Sequence, residues 1–175
     1  RRLGECESRP FPRGATRPYF CPMRLTGRHT FDGPREAVWD MLLDPAVLAR
    51  AFPGRQELHR SGPGRYRGRV HLAIGALPAG AFAVRVDISD ESYPERYTMR
   101  VRGDGLLGNA AGHANVRLEA QGPDTTLMDY ECVLVTSGAI GLVGQHLLGT
   151  LGGALARSGL RSLGEELEIR RVAHL

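Results

Sequence analysis

The chain has 175 residues, a length that favours one domain with a sizeable core. Its net charge is +4, and the basic residues are all arginines scattered along the sequence, which argues against a nucleic-acid-binding protein. The three cysteines, Cys6, Cys21 and Cys132, show no CxxC or Cys/His ligand spacing. Composition therefore predicts a reduced, cytoplasmic protein with no metal site and no cofactor.

The first segment differs from the rest in composition. Residues 1–22 are rich in proline and arginine and have no apolar period, and Met23 stands directly before a well-patterned strand. We expect 1–22 to be a disordered leader, and it lacks the apolar run of a signal peptide, so export is not indicated. The remaining chain divides into a folded domain over 23–168 and a C-terminal tail over 169–175.

One strand and two short helices are predicted next. Residues 25–31 alternate between apolar and polar, as in a half-buried strand. Asp32 or Gly33 is expected to cap the first helix, with Pro34 in its first turn. Asp44 is expected to cap the second helix, which ends where Pro53 cannot continue it.

The hydrophobic period then becomes two for roughly eighty residues, which predicts a series of strands. The predicted strands cover residues 66–74, 82–88, 96–102, 114–119 and 126–135. Glycine, proline and aspartate punctuate the intervening turns. Alternation of this kind is typical of an antiparallel sheet with one apolar and one solvated face.

A long, glycine-rich helix is predicted over 137–167. One apolar stripe consists of Ile140, Val143, Leu147, Leu151 and Leu155. A second stripe, almost opposite, consists of Ala156, Leu160, Leu163 and Leu167. Either the helix bends near residues 158–159 or its halves bury different faces, and we favour the bend.

Two further hypotheses concern this helix. Residues 138–156 are uncharged and contain GxxxG spacings, so a membrane span is an alternative, although Gln145 and His146 argue against it. Gly149 and Gly153 are expected to face away from the sheet, where a smooth backbone would suit a homodimer or a partner enzyme. The competing interpretation is that these glycines are simply tolerated on the surface.

The order of strand, two short helices, strand meander and long helix resembles the START-like, helix-grip superfamily. The sequences FDGPREAVW at 31–39, DP at 44–45, FPG at 52–54 and GAIGLVGQ at 138–145 resemble the family of the carbon monoxide dehydrogenase G subunit. The resemblance implies an α+β fold in which a curved antiparallel sheet of about seven strands wraps around a long C-terminal helix, with two short helices after strand 1.

The resemblance also implies a function. It implies a non-enzymatic accessory protein that binds a quinone or lipid and recruits a molybdenum hydroxylase to the membrane, or assists in its maturation. The expected location is cytoplasmic, with peripheral contact at the inner face of the membrane. No nucleic-acid partner is expected.

A sheet that grips a helix encloses an apolar space wherever the facing side chains are small. Trp39 is predicted to belong either to the core of the first helix or to the wall of this cavity. The candidate ligand-cavity residues are Trp39, Leu43, Phe52, Leu72, Ile74, Phe82, Val84, Met99, Val101, Tyr130, Ile140, Val143, Leu147 and Leu151.

The sequence contains no HExxH, no GxSxG and no phosphate-binding loop in the right context, so no catalytic residue is predicted. An alternative function is a helix-grip enzyme of the polyketide cyclase/dehydratase type acting on an apolar substrate. It would require polar groups that converge inside the cavity. The candidates are Tyr66, Tyr130 and His113, the last of which is expected near the cavity mouth.

Overall fold

The computed structural model describes residues 22–51, 56–74, 77–139 and 145–173. Within these ranges the chain forms strands that are separated once by two short helices and followed by one long helix. The elements are β1 (Met23–Phe31), α1 (Arg35–Leu42), α2 (Pro45–Ala51), β2 (Gln56–Gly62), β3 (Arg65–Ile74), β4 (Leu77–Ser92), β5 (Arg96–Gly105), β6 (Gly108–Gly122), β7 (Thr125–Gly138) and α3 (Gln145–Ala173).

All strands belong to one antiparallel sheet in the order β1-β7-β6-β5-β4-β3-β2. Strands β2 to β7 form a meander, and β1 pairs with β7 at the far edge. Because β1 and β2 lie at opposite edges, α1 and α2 must carry the chain across the apolar face between them. The predicted α+β helix-grip fold, with its seven-stranded sheet, is thereby confirmed.

Several strands are longer than the alternation alone predicts. Strand β6 extends beyond the predicted 114–119, because Gly103 and Gly105 of β5 pair with Ala110 and Gly108 instead of forming a loop. Register shifts interrupt the ladders between β3 and β4, β4 and β5, and β6 and β7. Such irregularities bend strands, which allows this sheet to curve around a helix.

Two glycines in strands make room for aromatic rings from the neighbouring strand. Tyr130 of β7 lies opposite Gly27 of β1, and Phe82 of β4 lies opposite Gly105 of β5. A Cβ atom at either glycine would overlap the opposing ring. Each ring therefore occupies the space above the glycine of the adjacent strand, which a larger residue at that position would take up.

The caps of the two short helices differ from each other. Pro34, with φ of −66°, is the N-cap of α1 and no side chain caps the helix, so the predicted cap by Asp32 or Gly33 is wrong. The proline already holds the extended backbone that precedes a helix. The predicted cap of α2 is confirmed, because Asp44 Oδ1 accepts a hydrogen bond from the Ala46 N–H at 2.9 Å.

Helix α3 begins at Gln145 and continues to Ala173, beyond the predicted end at residue 167. It runs through Ser158 and Gly159 without interruption. No helix within the described residues is long and apolar enough to cross a membrane, and residues 140–144 of the alternative span lie outside them.

The expected position of the helix glycines is corrected by the packing of α3 on β1. Gly153 is buried, and a Cβ atom there would lie 3.8 Å from Leu25 Cδ1. Gly152 likewise approaches Met23. The prediction that Gly153 faces away from the sheet is therefore wrong, because side chains of the edge strand β1 pack against this side of the helix. The surroundings of Gly149 lie outside the described part of the chain.

The main core lies where α1 and the C-terminal half of α3 cover the sheet. Helix α1 buries Val38, Trp39, Met41 and Leu42. They pack with Phe31, Val47, Tyr97, Val116, Leu118, Met128, Leu163 and Leu167. Thr126 is fully buried, and its hydroxyl donates to the Gly33 carbonyl at 2.8 Å. This end of the domain is filled by side chains.

Four charged side chains connect α2 to α3. Arg170 donates to Asp44 Oδ2 at 2.7 Å and to Glu166 Oε1 at 3.4 Å, and Arg50 donates to Glu166 Oε1 at 2.7 Å. Burial alone would raise the pKa of Asp44, but hydrogen bonds from Arg170 and the Ala46 N–H, with the arginine charge, lower it overall. The ionised form of Asp44 therefore helps to dock α2 on α3.

Alanine substitution at two glycines should change the free energy of unfolding in opposite directions. In Gly164→Ala the new methyl group meets no atom within 4 Å, so helix propensity should raise the free energy of unfolding by about 0.5–1 kcal/mol. In Gly68→Ala the methyl group would collide with the Glu57 backbone, so we expect a loss of about 2–4 kcal/mol. Urea unfolding of both variants measures these changes, and equal effects would contradict the described packing of β2 on β3.

The Asp44 carboxylate predicts a pH-dependent contribution to stability. Asp44→Asn keeps a capping side chain but removes the charge that faces Arg170, so it should lower the free energy of unfolding by about 0.5–1 kcal/mol at neutral pH. The pKa of Asp44 in the folded state lies below its ordinary value of 3.8. The difference in unfolding free energy between Asp44→Asn and wild type should therefore be complete above pH 3.8, and it should disappear as the pH falls through the folded-state pKa. Urea titrations at several pH values test this, and a pH-independent difference would contradict it.

Candidate ligand cavity

A cavity of about 430 Å³ lies between the concave face of the sheet and the helices. It is lined by residues of all three helices and of strands β1 to β7. Its volume falls within the range of small-molecule binding sites in proteins. The cavity is thus large enough to hold a small organic ligand.

The inward stripe of α3 explains where the cavity lies. Gly152 and Ala156 face the space with little or no side chain, whereas Leu160 and Leu163 mark its inner end. One turn further, Leu167 is 3% exposed and fills the core instead. The same helix face therefore leaves space at one end of the domain and fills it at the other.

Five of the predicted residues are brought together in the cavity wall. They are Leu43, Val84, Met99, Val101 and Tyr130. Strand alternation on the concave face identifies the four strand residues in advance. The wall also contains Leu25, Leu42, Leu48, Ala49, Leu58, Tyr66, Val70, Val86, Ile88, Tyr97, Ala114, Val116, Met128 and Cys132.

Two predicted residues lie elsewhere. Trp39 is 4% exposed and packs edge-on against Tyr97, with ring centroids 5.3 Å apart, so it belongs to the core of the first helix. Phe82 is 3% exposed and lies over Gly105. The side chains of Phe52, Leu72, Ile74, Ile140, Val143, Leu147 and Leu151 lie outside the described part of the structure.

Three tyrosines and one cysteine are the polar side chains in the described part of the wall. The Tyr66 hydroxyl donates to the Leu43 carbonyl at 2.8 Å and accepts from Arg60 at 3.4 Å. Tyr97 has no hydrogen-bond partner among the described residues, and its hydroxyl can donate to a ligand. Burial, and then the neighbouring Tyr66, raise the pKa of Tyr97, so this phenol stays neutral.

Cys132 is the remaining polar side chain in the described wall. It is half-buried on β7, and burial raises the pKa of its thiol. A thiol rather than a thiolate is a weak nucleophile. Cys132 therefore contributes an apolar surface to the wall.

Among the described residues, acid–base side chains do not converge on the cavity. His113 is exposed on the outer face of β6, opposite Arg100, so its expected position near the mouth is wrong. Within the described lining, no carboxylate and no imidazole is present. The described residues also form no cluster of three metal-ligating side chains. The described part of the wall is therefore neutral and mainly apolar, with three phenols and one thiol.

The fold has clear counterparts among solved structures. A conserved protein from Geobacillus kaustophilus is 23% identical with a TM-score of 0.78, covering 83% of this chain and 95% of that one. An aromatase/cyclase, Zhui, from Streptomyces sp. R1128 is 20% identical with a TM-score of 0.65, covering 87% and 96%. A START superfamily protein from Mycobacterium smegmatis is 10% identical with a TM-score of 0.62, covering 83% and 97%.

Sequence comparison adds the family. No curated protein matches this chain. The family model for the G subunit of carbon monoxide dehydrogenase (CoxG) matches residues 27–167, which include β1 from Gly27, all the other strands, α1, α2 and most of α3. With a helix-grip structure and a family match over most of its length, this chain belongs to the CoxG family, that of the carbon monoxide dehydrogenase G subunit.

Proposed function

We propose that this protein is a non-enzymatic accessory protein that holds a hydrophobic small molecule, a quinone or a lipid, in the cavity under α3. The observation that carries the proposal is the cavity itself, whose described wall is apolar except for three phenols and one thiol. Membership of the family supports the same assignment.

The chemistry of the wall favours a neutral, mainly apolar ligand. A ligand that buried about 300 Å² of apolar surface would gain roughly 7 kcal/mol from the hydrophobic effect before the costs of immobilisation. A charged ligand would find no counter-charge in the described lining, and removing an unpaired charge from water costs several kcal/mol. Selection of this ligand therefore depends on shape and on hydrogen bonds to phenols.

The proposal includes a partner and a location. As an accessory protein of this family, it would bring its ligand, or a molybdenum hydroxylase complex, to the inner face of the membrane through peripheral contact in the cytoplasm. Family membership supports this part. A homodimer has less support, since Gly153, on which that expectation depended, packs against Leu25.

A cyclase is the second candidate function. It is favoured by the convergence of Tyr66, Tyr97 and Tyr130 on one cavity and by the structural similarity to aromatase/cyclases. Its weakness is the absence of a base in the described lining, since a phenol with a raised pKa removes protons poorly at neutral pH. The tyrosines are better placed to orient a ligand than to transfer its protons.

Filling the cavity tests the binding proposal. In Ala156→Phe a ring would enter the space beside Leu160, whereas Ala154→Phe, on the exposed side of the same helix, serves as the matched control. Wild type and the control should retain a quinone or lipid that is detected by mass spectrometry of an organic extract. Ala156→Phe should lose it.

The same variants give a second readout from thermal unfolding. A ligand at about 100 times its Kd stabilises the folded protein by roughly 2.7 kcal/mol, so adding it should raise the Tm of wild type and control but not that of Ala156→Phe. If no apolar molecule co-purifies and none shifts the wild-type Tm, the binding proposal fails.

Tyr97→Phe separates binding from catalysis, because it removes one hydroxyl without changing the shape of the wall. If Tyr97 only orients a ligand, affinity should fall by about tenfold through the loss of one hydrogen bond, and wild type should not convert an aromatic polyketide mimic. Titration followed by product analysis measures both. Wild-type turnover that falls by roughly a hundredfold or more in Tyr97→Phe, with binding retained, would instead establish the cyclase.

A further inference from the structure

The outer face of the sheet carries a row of arginines, one on each of three neighbouring strands. Arg67 of β3 is paired in register with Arg85 of β4, and Arg85 with Arg102 of β5. All three side chains are exposed. In β2, His59 continues the row opposite Arg67. Arginines that are scattered along the sequence thus become adjacent in the sheet.

This row is an unfavourable arrangement for the isolated domain. Like charges directly opposite each other on adjacent strands destabilise a sheet. Among the described residues, none of these three guanidinium groups has an ion-pair or hydrogen-bond partner. At the β1 edge of the same face, by contrast, Arg28 pairs with Asp129 at 2.6 Å and Arg24 with Glu131 at 3.3 Å. The row therefore leaves its positive charge uncompensated within the described structure.

The charges on either side of the row favour an anionic protein segment over the flat surface of a charged bilayer. On the same face, the next row to one side holds Asp87 between Arg65 and Arg100, and the next row to the other side holds Asp104 and Arg69. A charged bilayer would place negative groups above these carboxylates as well as above the arginines. Of these three rows, only that of Arg67, Arg85 and Arg102 contains no carboxylate, so a segment that lies along it and across the strands faces an unbroken line of arginines.

The spacing fits a helix. Adjacent strands are about 4.8 Å apart, so the row spans roughly 9.6 Å from Arg67 to Arg102. Acidic residues at positions i, i+4 and i+7 of a helix share one face and span about 10.5 Å along its axis. We propose that Arg67, Arg85 and Arg102 dock an acidic helix of a partner protein, with each guanidinium group paired to one carboxylate. This surface lies on the opposite face of the sheet from the cavity and does not depend on the cavity's ligand.

The test uses two labelled, alanine-rich peptides of identical composition. The striped peptide carries glutamates at i, i+4 and i+7, and the scrambled peptide carries them at i, i+5 and i+6, on different sides of the helix. Fluorescence anisotropy at low ionic strength measures their binding to the full chain. Wild type should bind the striped peptide about tenfold more tightly than the scrambled one.

Two triple variants locate the binding surface. Arg67→Gln/Arg85→Gln/Arg102→Gln removes the row, and Arg24→Gln/Arg28→Gln/Arg117→Gln removes the same charge elsewhere on the outer face. The row variant should lose about tenfold in affinity for the striped peptide, while the control variant should bind within about twofold of wild type. Equal losses in both variants would mean that net charge alone attracts the peptide and would overturn the proposal.

Vesicles containing phosphatidylglycerol test the competing partner. If wild type binds these vesicles through the row but does not distinguish the two peptides, the surface docks a membrane and the proposed helix is wrong. Removal of like charges should leave the Tm of the row variant at or above that of wild type. If the triple variant does not fold, Arg85→Gln alone should still weaken binding of the striped peptide by about twofold to threefold, and an unchanged affinity would refute the proposal.

Discussion

The structure depends on how one helix covers the apolar, concave face of a curved sheet. The edges of the sheet are formed by β1 and β2, which are joined by only two short helices, so α3 must cover most of that face. Along its inward stripe the residues change from Gly152 and Ala156 to Leu163 and Leu167. This change in side-chain volume divides the interior into a cavity and a filled core. A uniformly leucine-rich stripe would fill the interior, and a uniformly small one would forfeit the packing that stabilises the domain.

The two ends of the interior also differ in chemistry. In the core, the fully buried Thr126 hydroxyl donates a hydrogen bond to the Gly33 carbonyl. In the cavity, Tyr97 keeps a hydroxyl without a partner among the described residues. Because this hydroxyl borders the cavity, it is free to donate a hydrogen bond to a bound ligand. The cavity is therefore suited to an apolar molecule that carries a hydrogen-bond acceptor, as the proposed quinone or lipid does.

Much of this architecture follows from local sequence patterns. Alternation in residues 66–74 or 126–135 determines which side chains share the apolar face of a strand, whatever the neighbouring strands are. Asp44 caps its helix through a hydrogen bond from a residue only two positions away. Leu43, Val84, Met99, Val101 and Tyr130 were predictable as wall residues because each lies on an inward face. Their common feature is that side-chain direction is set by backbone period, which is a local property.

What the sequence by itself determined is the class of fold, the order of the elements and the apolar side of each. Only the tertiary structure decided that Gly153 faces Leu25, that Trp39 packs in the core, and that His113 lies outside the cavity while Tyr97 lines it. It also decided that Arg67, Arg85 and Arg102 form one row. These placements depend on strand register and on the rotation of α3 above the sheet. Both are set by the packing of residues far apart in the chain, so no local pattern contains them.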